Sequence, residues 1–228
     1  YKRFSLWHRY GYYKGESLQR VDNMIMNNEP LEVGLGVEYS MGGIVVNENM
    51  ETGVDGLFAA GEATTGTFGA CRVGDGLIEM LCQGMKAGVM AAGYCKSPSL
   101  AAPDAGQAER AERKLLRYFD NTEGIEAIDL YRGIEEACDI GLNVIRSESK
   151  ISETLSRLNK LKDLSQNIVL NEKSRQYNLE WMRAIQAENM LICCEAAARA
   201  ALERKESRGC HMRSDYEEVN HDHYLHHY

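Results

Sequence analysis

The sequence predicts an α/β domain followed by an all-helical region. Within residues 38–80, a short apolar run, a loop of small residues and a helical pattern follow one another. This order is typical of the corner of an open α/β sheet where ligands bind. Beyond residue 106, apolar residues recur at helical spacing and predict three helices, over 107–119, 125–164 and 177–202. A stretch rich in Pro, Ser, Ala and Gly, residues 97–106, separates the two patterns and predicts a linker.

The corner is predicted in three parts. Leu57–Ala60 has the length of a buried strand and ends at Gly61-Glu62. The loop that follows, residues 63–74, is rich in Gly and Thr. A helix is then expected from Gly76, with Asp75 as its N-cap. Its predicted apolar face is formed by Leu77, Met80, Leu81, Met85 and Val89.

Upstream of this corner, the run Ile44–Val46 consists of three β-branched residues and predicts a further strand. It follows Gly42-Gly43, for which two interpretations stay open. The pair forms a bulge or tight bend, or it lets the backbone approach a planar ligand because glycine has no Cβ.

Charge and cysteine content exclude several classes of partner. The net charge of −8 argues against binding to nucleic acid or to an anionic membrane surface. No apolar run reaches the length of a membrane span. Seven cysteines without a C-x-x-C pair argue against a disulfide framework and against a metal or iron–sulfur site in this chain. We therefore expect a cytoplasmic protein, in the cytosol or at the cytosolic face of a membrane. The first residue is Tyr1 rather than Met, which favours a piece of a longer chain.

Four motifs carry a resemblance to a known family. They are YSMGGI, GLFAAGE, FGACR and GDGLIEMLCQG, and both their order and their intervals agree with the family. On them the chain resembles the C-terminal flavin-binding part of the succinate dehydrogenase/fumarate reductase flavoproteins. L-aspartate oxidase and adenylylsulfate reductase belong to the same family. The C-terminal stretch, including ESRG-x-H-x-R-x-DY, resembles the family's helical domain, so the resemblance extends from Glu29 to Tyr216.

The resemblance implies FAD as the cofactor. It assigns Glu62 to the ribityl chain of the flavin; the alternative is a carboxylate that caps a loop. The remaining implied cofactor-binding residues are Gly42, Gly43, Gly61, Gly76 and Leu77. The helix N-terminus at Gly76 favours the negative charge that collects on a reduced flavin ring. There is no G-x-G-x-x-G, so the pyrophosphate-binding half of such a domain is missing, and we expect the chain alone to bind FAD poorly.

Two predicted catalytic-site residues follow from the same motifs. Arg72 matches the arginine with which the family clamps a substrate carboxylate, through two parallel hydrogen bonds. Its alternative role is a local ion pair with Glu79 or Asp75. Glu38 stands where the family's pattern typically has a histidine on the substrate carboxylate. A carboxylate there repels a dicarboxylate, so a less acidic substrate is expected.

The remaining segments are interpreted more coarsely. Residues 1–28 mix aromatic and basic side chains, which also occurs on nucleic-acid surfaces, but the acidic balance favours the end of a capping domain. His211, Arg208 and Arg213 lie after a helix; they cap it, or they line the flavin access side or a subunit contact. The histidine-rich tail is more consistent with a mobile end than with a metal site.

Together these observations predict a partial FAD-binding Rossmann-like domain followed by a three-helix bundle. The predicted ranges are 1–28 for the end of a capping domain, 29–96 for the flavin domain, 97–106 for the linker, 107–206 for the bundle and 207–228 for a tail. The predicted function is hydride transfer between flavin and a carboxylate-bearing small molecule, with an iron–sulfur electron-transfer subunit as a partner. The alternatives are the chemistry of another family member and a non-catalytic module that docks an electron-transfer partner.

Overall fold

The structure, a computed structural model, describes residues 23–28, 30, 39–67, 69, 76–96 and 104–225. It divides into two compact units, Tyr1–Tyr39 and Ser40–Tyr228. In the first unit, residues 23–26 form one helical turn. The second unit is mixed α/β, mostly helical, with two small parallel sheets. No helix in the described residues is long and apolar enough to cross a membrane.

Residues 39–67 contain isolated β-bridges where the sequence predicts strands. Ile44 makes one parallel bridge to Thr64, and Phe58 makes one antiparallel bridge to Glu51. A strand needs neighbours along its length, and here the pairing stops after a single residue on each side. The predicted strands at 44–46 and 57–60 are therefore wrong as regular strands within the described residues.

The helix predicted from Gly76 is present as α1, Gly76–Tyr94. It contacts the preceding segment at its far end, where Tyr94 donates a hydrogen bond of 2.8 Å to Asp55 Oδ2 and packs edge-on against Phe58. The predicted apolar face does not point inward. Its members Leu77, Met80, Leu81, Met85 and Val89 are all exposed, whereas Glu79 is buried.

The helical region begins with α2, Ala105–Leu116, which continues as a 3-10 turn, Arg117–Phe119. It is followed by β1 (Ile125–Glu126), α3 (Ala127–Gly141), β2 (Ile145–Arg146) and α4 (Glu148–Leu164). After a 3-10 turn at Ser165–Asn167 come β3 (Ile168–Val169), α5 (Leu179–Glu203), β4 (Met212–Arg213) and α6 (His221–Tyr224).

The long helical pattern predicted over 125–164 is two helices, not one. The chain leaves α3 after Gly141, and Ser147 then caps α4 by accepting a hydrogen bond from the Lys150 N–H. Short polar side chains at such positions satisfy an N–H group that the helix itself leaves unpaired. Asp104 and Asn178 cap α2 and α5 in the same way. The break lets α3 and α4 pack against each other.

The core lies where α3, α4 and α5 meet, rather than on α2, which buries no residue. Buried residues recur at intervals of three and four on each of these helices, as a helix with one inward face requires. On α5 most of them are alanines, so neighbouring helices can approach closely. The largest cluster comprises Tyr118, Ala127, Leu130, Ile134, Ala137, Leu158, Ile168, Leu170, Ala184, Ala187 and Leu191.

Two parallel strand pairs hold distant segments against these helices. β1 pairs with β3 through Ile125 and Ile168, and β2 pairs with β4 through Ile145 and Met212. The second pair fixes the segment after α5 beside the loop between α3 and α4. Ser214 extends it by donating its N–H to the Arg146 carbonyl at 2.9 Å.

Candidate functional site

The turn that carries Glu62 is a 3-10 turn, Gly61–Ala63. The Glu62 side chain is exposed, and its Oε1 accepts a hydrogen bond of 2.8 Å from the Ser40 N–H. This contact joins the GLFAAGE motif to the YSMGGI motif, which are separated by 22 residues at this pair. An exposed carboxylate held by one backbone N–H retains oxygen lone pairs that can accept hydrogen bonds from ligand hydroxyls.

The two glycines of the YSMGGI motif differ in their surroundings. A Cβ atom on Gly43 would lie 2.5 Å from the Ala63 carbonyl oxygen, so this glycine allows two backbone segments to meet. The meeting is fixed because Ile44 donates its N–H to that same oxygen at 2.8 Å. Gly42 has a φ of +103°, and no atom of the described residues lies within 4 Å of its Cβ position. Within this part of the chain, nothing covers the backbone at Gly42 on that side.

The loop that follows is fastened to α1 by polar side chains. Gly61 donates its N–H to Gln83 Oε1 at 2.7 Å, and Thr67 donates its N–H to Glu79 Oε1 at 2.5 Å. Gln83 Nε2 in turn donates to Glu79 Oε1 at 3.2 Å. Thr64, which is buried, donates its hydroxyl to the Gly61 carbonyl at 2.8 Å. The turn and the first two turns of α1 thus form one hydrogen-bonded unit.

Sequence reasoning did not identify Gln83, and it considered Glu79 only as an ion-pair partner for Arg72. The signal was nevertheless present, because Glu79 and Gln83 are four residues apart and so share one face of a helix. Two polar residues on one face of a helix that is mostly apolar indicate a polar contact surface on that side.

The described residues include some of the other predicted site residues. Gly76 and Leu77 lie in the first turn of α1, and the Leu77 side chain is exposed. Glu38, Arg72 and Asp75 lie outside the described residues. Of the predicted site residues, Gly61 and Glu62 share one turn, and Gly43, which follows Gly42, packs against that turn at the Ala63 carbonyl.

The charged residues after α5 form a separate buried cluster. Glu206 is fully buried and accepts hydrogen bonds from Arg204, Arg208 and the Asn220 N–H. Burial alone would raise the pKa of Glu206, but the bonds from Arg208, from the Asn220 N–H and from Arg204 lower it to about 2. The carboxylate is therefore ionised and holds the chain end on the helical region.

Arg213 and His211 complete this cluster. Arg213 is buried, binds both Asp215 oxygens at 2.7 and 2.8 Å and donates to the Ala201 carbonyl at 2.9 Å. His211 Nδ1 lies 2.9 Å from Arg146 Nη1, and its Nε2 lies 3.0 Å from the Arg204 carbonyl oxygen. These partners tie the segment to α5 and to β2, which supports the capping interpretation of His211, Arg208 and Arg213.

Metal ligation finds no support in the described part of the chain. No group of three or more His, Cys, Asp and Glu side chains there is arranged to hold a metal ion. His221 and His223 lie on the short helix α6, and His226 and His227 lie outside the described residues.

Comparison with known proteins gives two family matches. Residues 14–76 match the family model described as an FAD binding domain, and residues 132–228 match the one described as fumarate reductase flavoprotein C-term. The fumarate reductase flavoprotein subunit of Haemophilus influenzae is 34% identical over 210 residues, which cover 88% of this chain and 34% of that protein. The succinate dehydrogenase flavoprotein subunit of Bacillus subtilis is 30% identical over 205 residues, covering 86% and 35%.

Solved structures agree with these matches. The apo Sdh1 complex of Mycobacterium smegmatis has a TM-score of 0.74 at 36% identity, covering 80% of this chain and 31% of that chain. Escherichia coli quinol fumarate reductase has a TM-score of 0.76 at 28% identity, covering 82% and 33%. Adenylylsulfate reductase from Archaeoglobus fulgidus shares the fold, with a TM-score of 0.64 at 21% identity.

The fold of this chain and its matches to known proteins place it in the class of FAD-binding flavoproteins. Within that class, the chain belongs to the fumarate reductase/succinate dehydrogenase flavoprotein family. It spans about a third of the length of the curated relatives it matches. The cofactor that these matches indicate is FAD.

The described residues fit a flavin. Glu62 presents an exposed carboxylate from a turn that is fixed on both sides, by Ser40 and by Gln83. Gly42 leaves room for a planar group, since no atom of the residues that the structure describes lies within 4 Å of its Cβ position. The first turn of α1 adds N–H groups that the helix leaves unpaired.

Proposed function

We propose that this chain is part of an FAD-dependent oxidoreductase that transfers a hydride between the flavin and a carboxylate-bearing small molecule. The observation that carries the proposal is the Glu62 turn, where hydrogen bonds join an exposed carboxylate to the YSMGGI segment and fasten the turn and its loop to α1. The family membership supports it, since the relatives are named fumarate reductase and succinate dehydrogenase flavoproteins. When bound, FAD supplies the site that gives or takes the hydride.

In this proposal, the residues of the chain bind the flavin and orient it. The Glu62 carboxylate accepts hydrogen bonds from ribityl hydroxyls, since it is exposed on its turn and has oxygen lone pairs to offer. Gly42 lets the backbone lie against the flavin ring, Gly43 lets the same segment pack on the Ala63 carbonyl, and Gly61 shapes the turn that carries Glu62. Gly76 and Leu77 direct their backbone N–H groups at the ring, where a helix N-terminus favours negative charge by about 0.3–2 kcal/mol.

Arg72 is the residue that we propose to bind the substrate. Its guanidinium is permanently charged and matches the geometry of a carboxylate, so it fixes the substrate acid by two parallel hydrogen bonds. Such a clamp orients the reacting carbon toward the flavin and lowers the entropic part of the barrier.

Glu38 distinguishes this chain from the usual pattern of the family. A carboxylate repels a second carboxylate on the substrate, and its ionised form is costly to bury without a partner. We therefore propose a substrate with a single carboxylate, or one with a donor or cationic group in place of the second acid.

The finer architecture belongs to the same proposal. We infer that residues 29–96 are the C-terminal half of a Rossmann-like flavin domain and that residues 107–206 form a three-helix bundle. The packing of α3, α4 and α5 around one core supports the second inference. An iron–sulfur subunit is the proposed electron partner, and the proposed location of this chain is the cytoplasm or the cytosolic face of a membrane.

The proposal is tested by replacing Glu62 with Ala in the full-length gene product. We expect the purified variant to lose its flavin, because the ribityl hydroxyls lose their charged acceptor. The measurement is the ratio of flavin to protein by absorbance. Glu48→Ala is the matched control, since Glu48 is an exposed glutamate of the neighbouring turn. Stoichiometric flavin in Glu62→Ala would overturn the assignment.

A further inference from the structure

The side of α1 that faces the protein carries two polar side chains, Glu79 and Gln83, whereas the sequence predicts an apolar inward face. Most of the large apolar residues of the helix are exposed, whereas Glu79 is 7% exposed and Gln83 is half-buried. Both polar side chains point at the loop that follows the Glu62 turn. A buried carboxylate and carboxamide are costly unless they are hydrogen-bonded, so their partners define what they do.

Gln83 holds the start of the turn. Its Oε1 accepts the Gly61 N–H at 2.7 Å and lies 3.2 Å from the Thr64 hydroxyl. Gly61 is buried with a φ of +71°, so its N–H must find a partner inside the protein. A carboxamide suits this place because it accepts at one end and donates at the other.

Glu79 holds the end of the same loop and is itself held by Gln83. Its Oε1 accepts the Thr67 N–H at 2.5 Å and the Gln83 Nε2–H at 3.2 Å. The pair therefore forms one continuous bridge from Gly61 through Gln83 and Glu79 to Thr67. Glu62, the next residue after Gly61, lies inside the bridged loop.

We propose that Gln83, acting with Glu79, is a positioning residue that fixes the Glu62 turn for flavin binding. The proposal rests on the proposed function, in which Glu62 binds the ribityl chain. Gln83 does not contact the flavin in this account. It fixes the direction of the Glu62 carboxylate by holding the backbone of the preceding residue, and so it reduces the ordering that binding would otherwise require.

The test compares variants of the full-length protein that alter this bridge. Gln83→Met keeps the volume of the side chain but removes its donor and its acceptor. We expect the dissociation constant for FAD to rise about tenfold, since losing a partner leaves a buried N–H unsatisfied. Amide hydrogen exchange at Gly61 and Thr67 should accelerate in the same variant. Gln107→Met, at an exposed position on α2, is the control.

A pair of exchanged residues separates positioning from general stability. Gln83→Glu alone places two carboxylates side by side and should weaken FAD binding. Combining it with Glu79→Gln restores one acid and one amide, with the same count of donors and acceptors, and should return the affinity to within about twofold of the original. Rescue of FAD binding and of amide protection together is the expected result.

The outcomes distinguish this inference from the function on which it rests. Unchanged FAD affinity and unchanged amide exchange in Gln83→Met would overturn the bridge while leaving Glu62 as a flavin ligand. Failure of the double exchange to rescue a folded protein would also overturn it. If the unaltered protein binds no FAD, the proposed function fails, and the exchange rates at Gly61 and Thr67 alone still decide whether the bridge exists.

Discussion

His211 is a buried histidine whose hydrogen bonds determine its charge. Arg146 has only N–H groups to offer, so His211 Nδ1 accepts and Nε2 carries the proton that is donated to the Arg204 carbonyl. Burial lowers the pKa of His211, and the cations Arg146, Arg213 and Arg204 lower it further, while the Arg204 carbonyl opposes them. The folded state therefore favours the neutral form of the His211 ring over its protonated form.

This arrangement predicts a loss of stability in mild acid. Because the folded pKa is below the ordinary value near 6.5, the stabilisation is complete above that pH and is lost as the pH falls through the folded pKa. His211→Gln keeps one donor and one acceptor but does not titrate, so its urea midpoint should depend less on pH between about 7.5 and 5. The control is His221→Gln, at an exposed position. Equal pH dependence in the original chain and His211→Gln would contradict the account.

Glu38 and Arg72 yield a prediction about the substrate. Full-length protein should reduce fumarate slowly, and Glu38→His should accelerate it because the repulsion is removed. Arg72→Ala should lower the rate at least about 100-fold for any carboxylate, since a charged bidentate contact is lost. The measurement is fumarate-dependent oxidation of a reduced viologen dye. Fast fumarate turnover that Glu38→His abolishes would mean that the glutamate is a working part of a dicarboxylate site.

The sequence predicts some of these residues better than others. Glu62 follows from its place at the end of an apolar run, where an acid can meet a ligand, and the structure finds it exposed on a fixed turn. The role of Gln83 is not predicted from the sequence, because the helical spacing predicts that the apolar residues of α1 face inward. The spacing of apolar residues shows that a helix has two different faces. Which of the two faces is buried depends on what packs against the helix.

At the scale of elements, the start of α1 is predicted, since Gly76 begins this helix as expected. The start of α4 is not predicted, because the helical pattern over 125–164 continues through the cap at Ser147. The four strands have two residues each, which is too short for an alternating pattern to be recognised. Their pairing also depends on residues more than 40 positions apart, which local propensity cannot supply.

The helical region should fold by itself. Its core, its two strand pairs and the buried cluster around Glu206 all lie within residues 104–225. Cleavage or expression that separates this piece after residue 103 should yield a soluble protein with strong helical circular dichroism and a cooperative thermal transition. An unfolded or aggregated piece would show that the region depends on residues before 104.

On the scale of the whole molecule, the coarse fold class is confirmed, since the described chain is mixed α/β and mostly helical, similar to its relatives. The flavin-domain part is the less complete one. Along α1 the exposed apolar residues outnumber the buried ones, as expected where a helix belongs to a larger domain. The chain also spans only about a third of the relatives it matches. We therefore predict that this chain, purified alone, is colourless.

The visible absorption spectrum of the purified full-length gene product shows whether this chain contributes to a flavin site. We expect flavin absorption bands corresponding to about one FAD per polypeptide, which a reductant bleaches and a carboxylate acceptor or an oxidised dye restores. A folded full-length protein that carries no flavin and takes up none when FAD is added would contradict it. The helical region would then be better explained as a module that docks an electron-transfer partner.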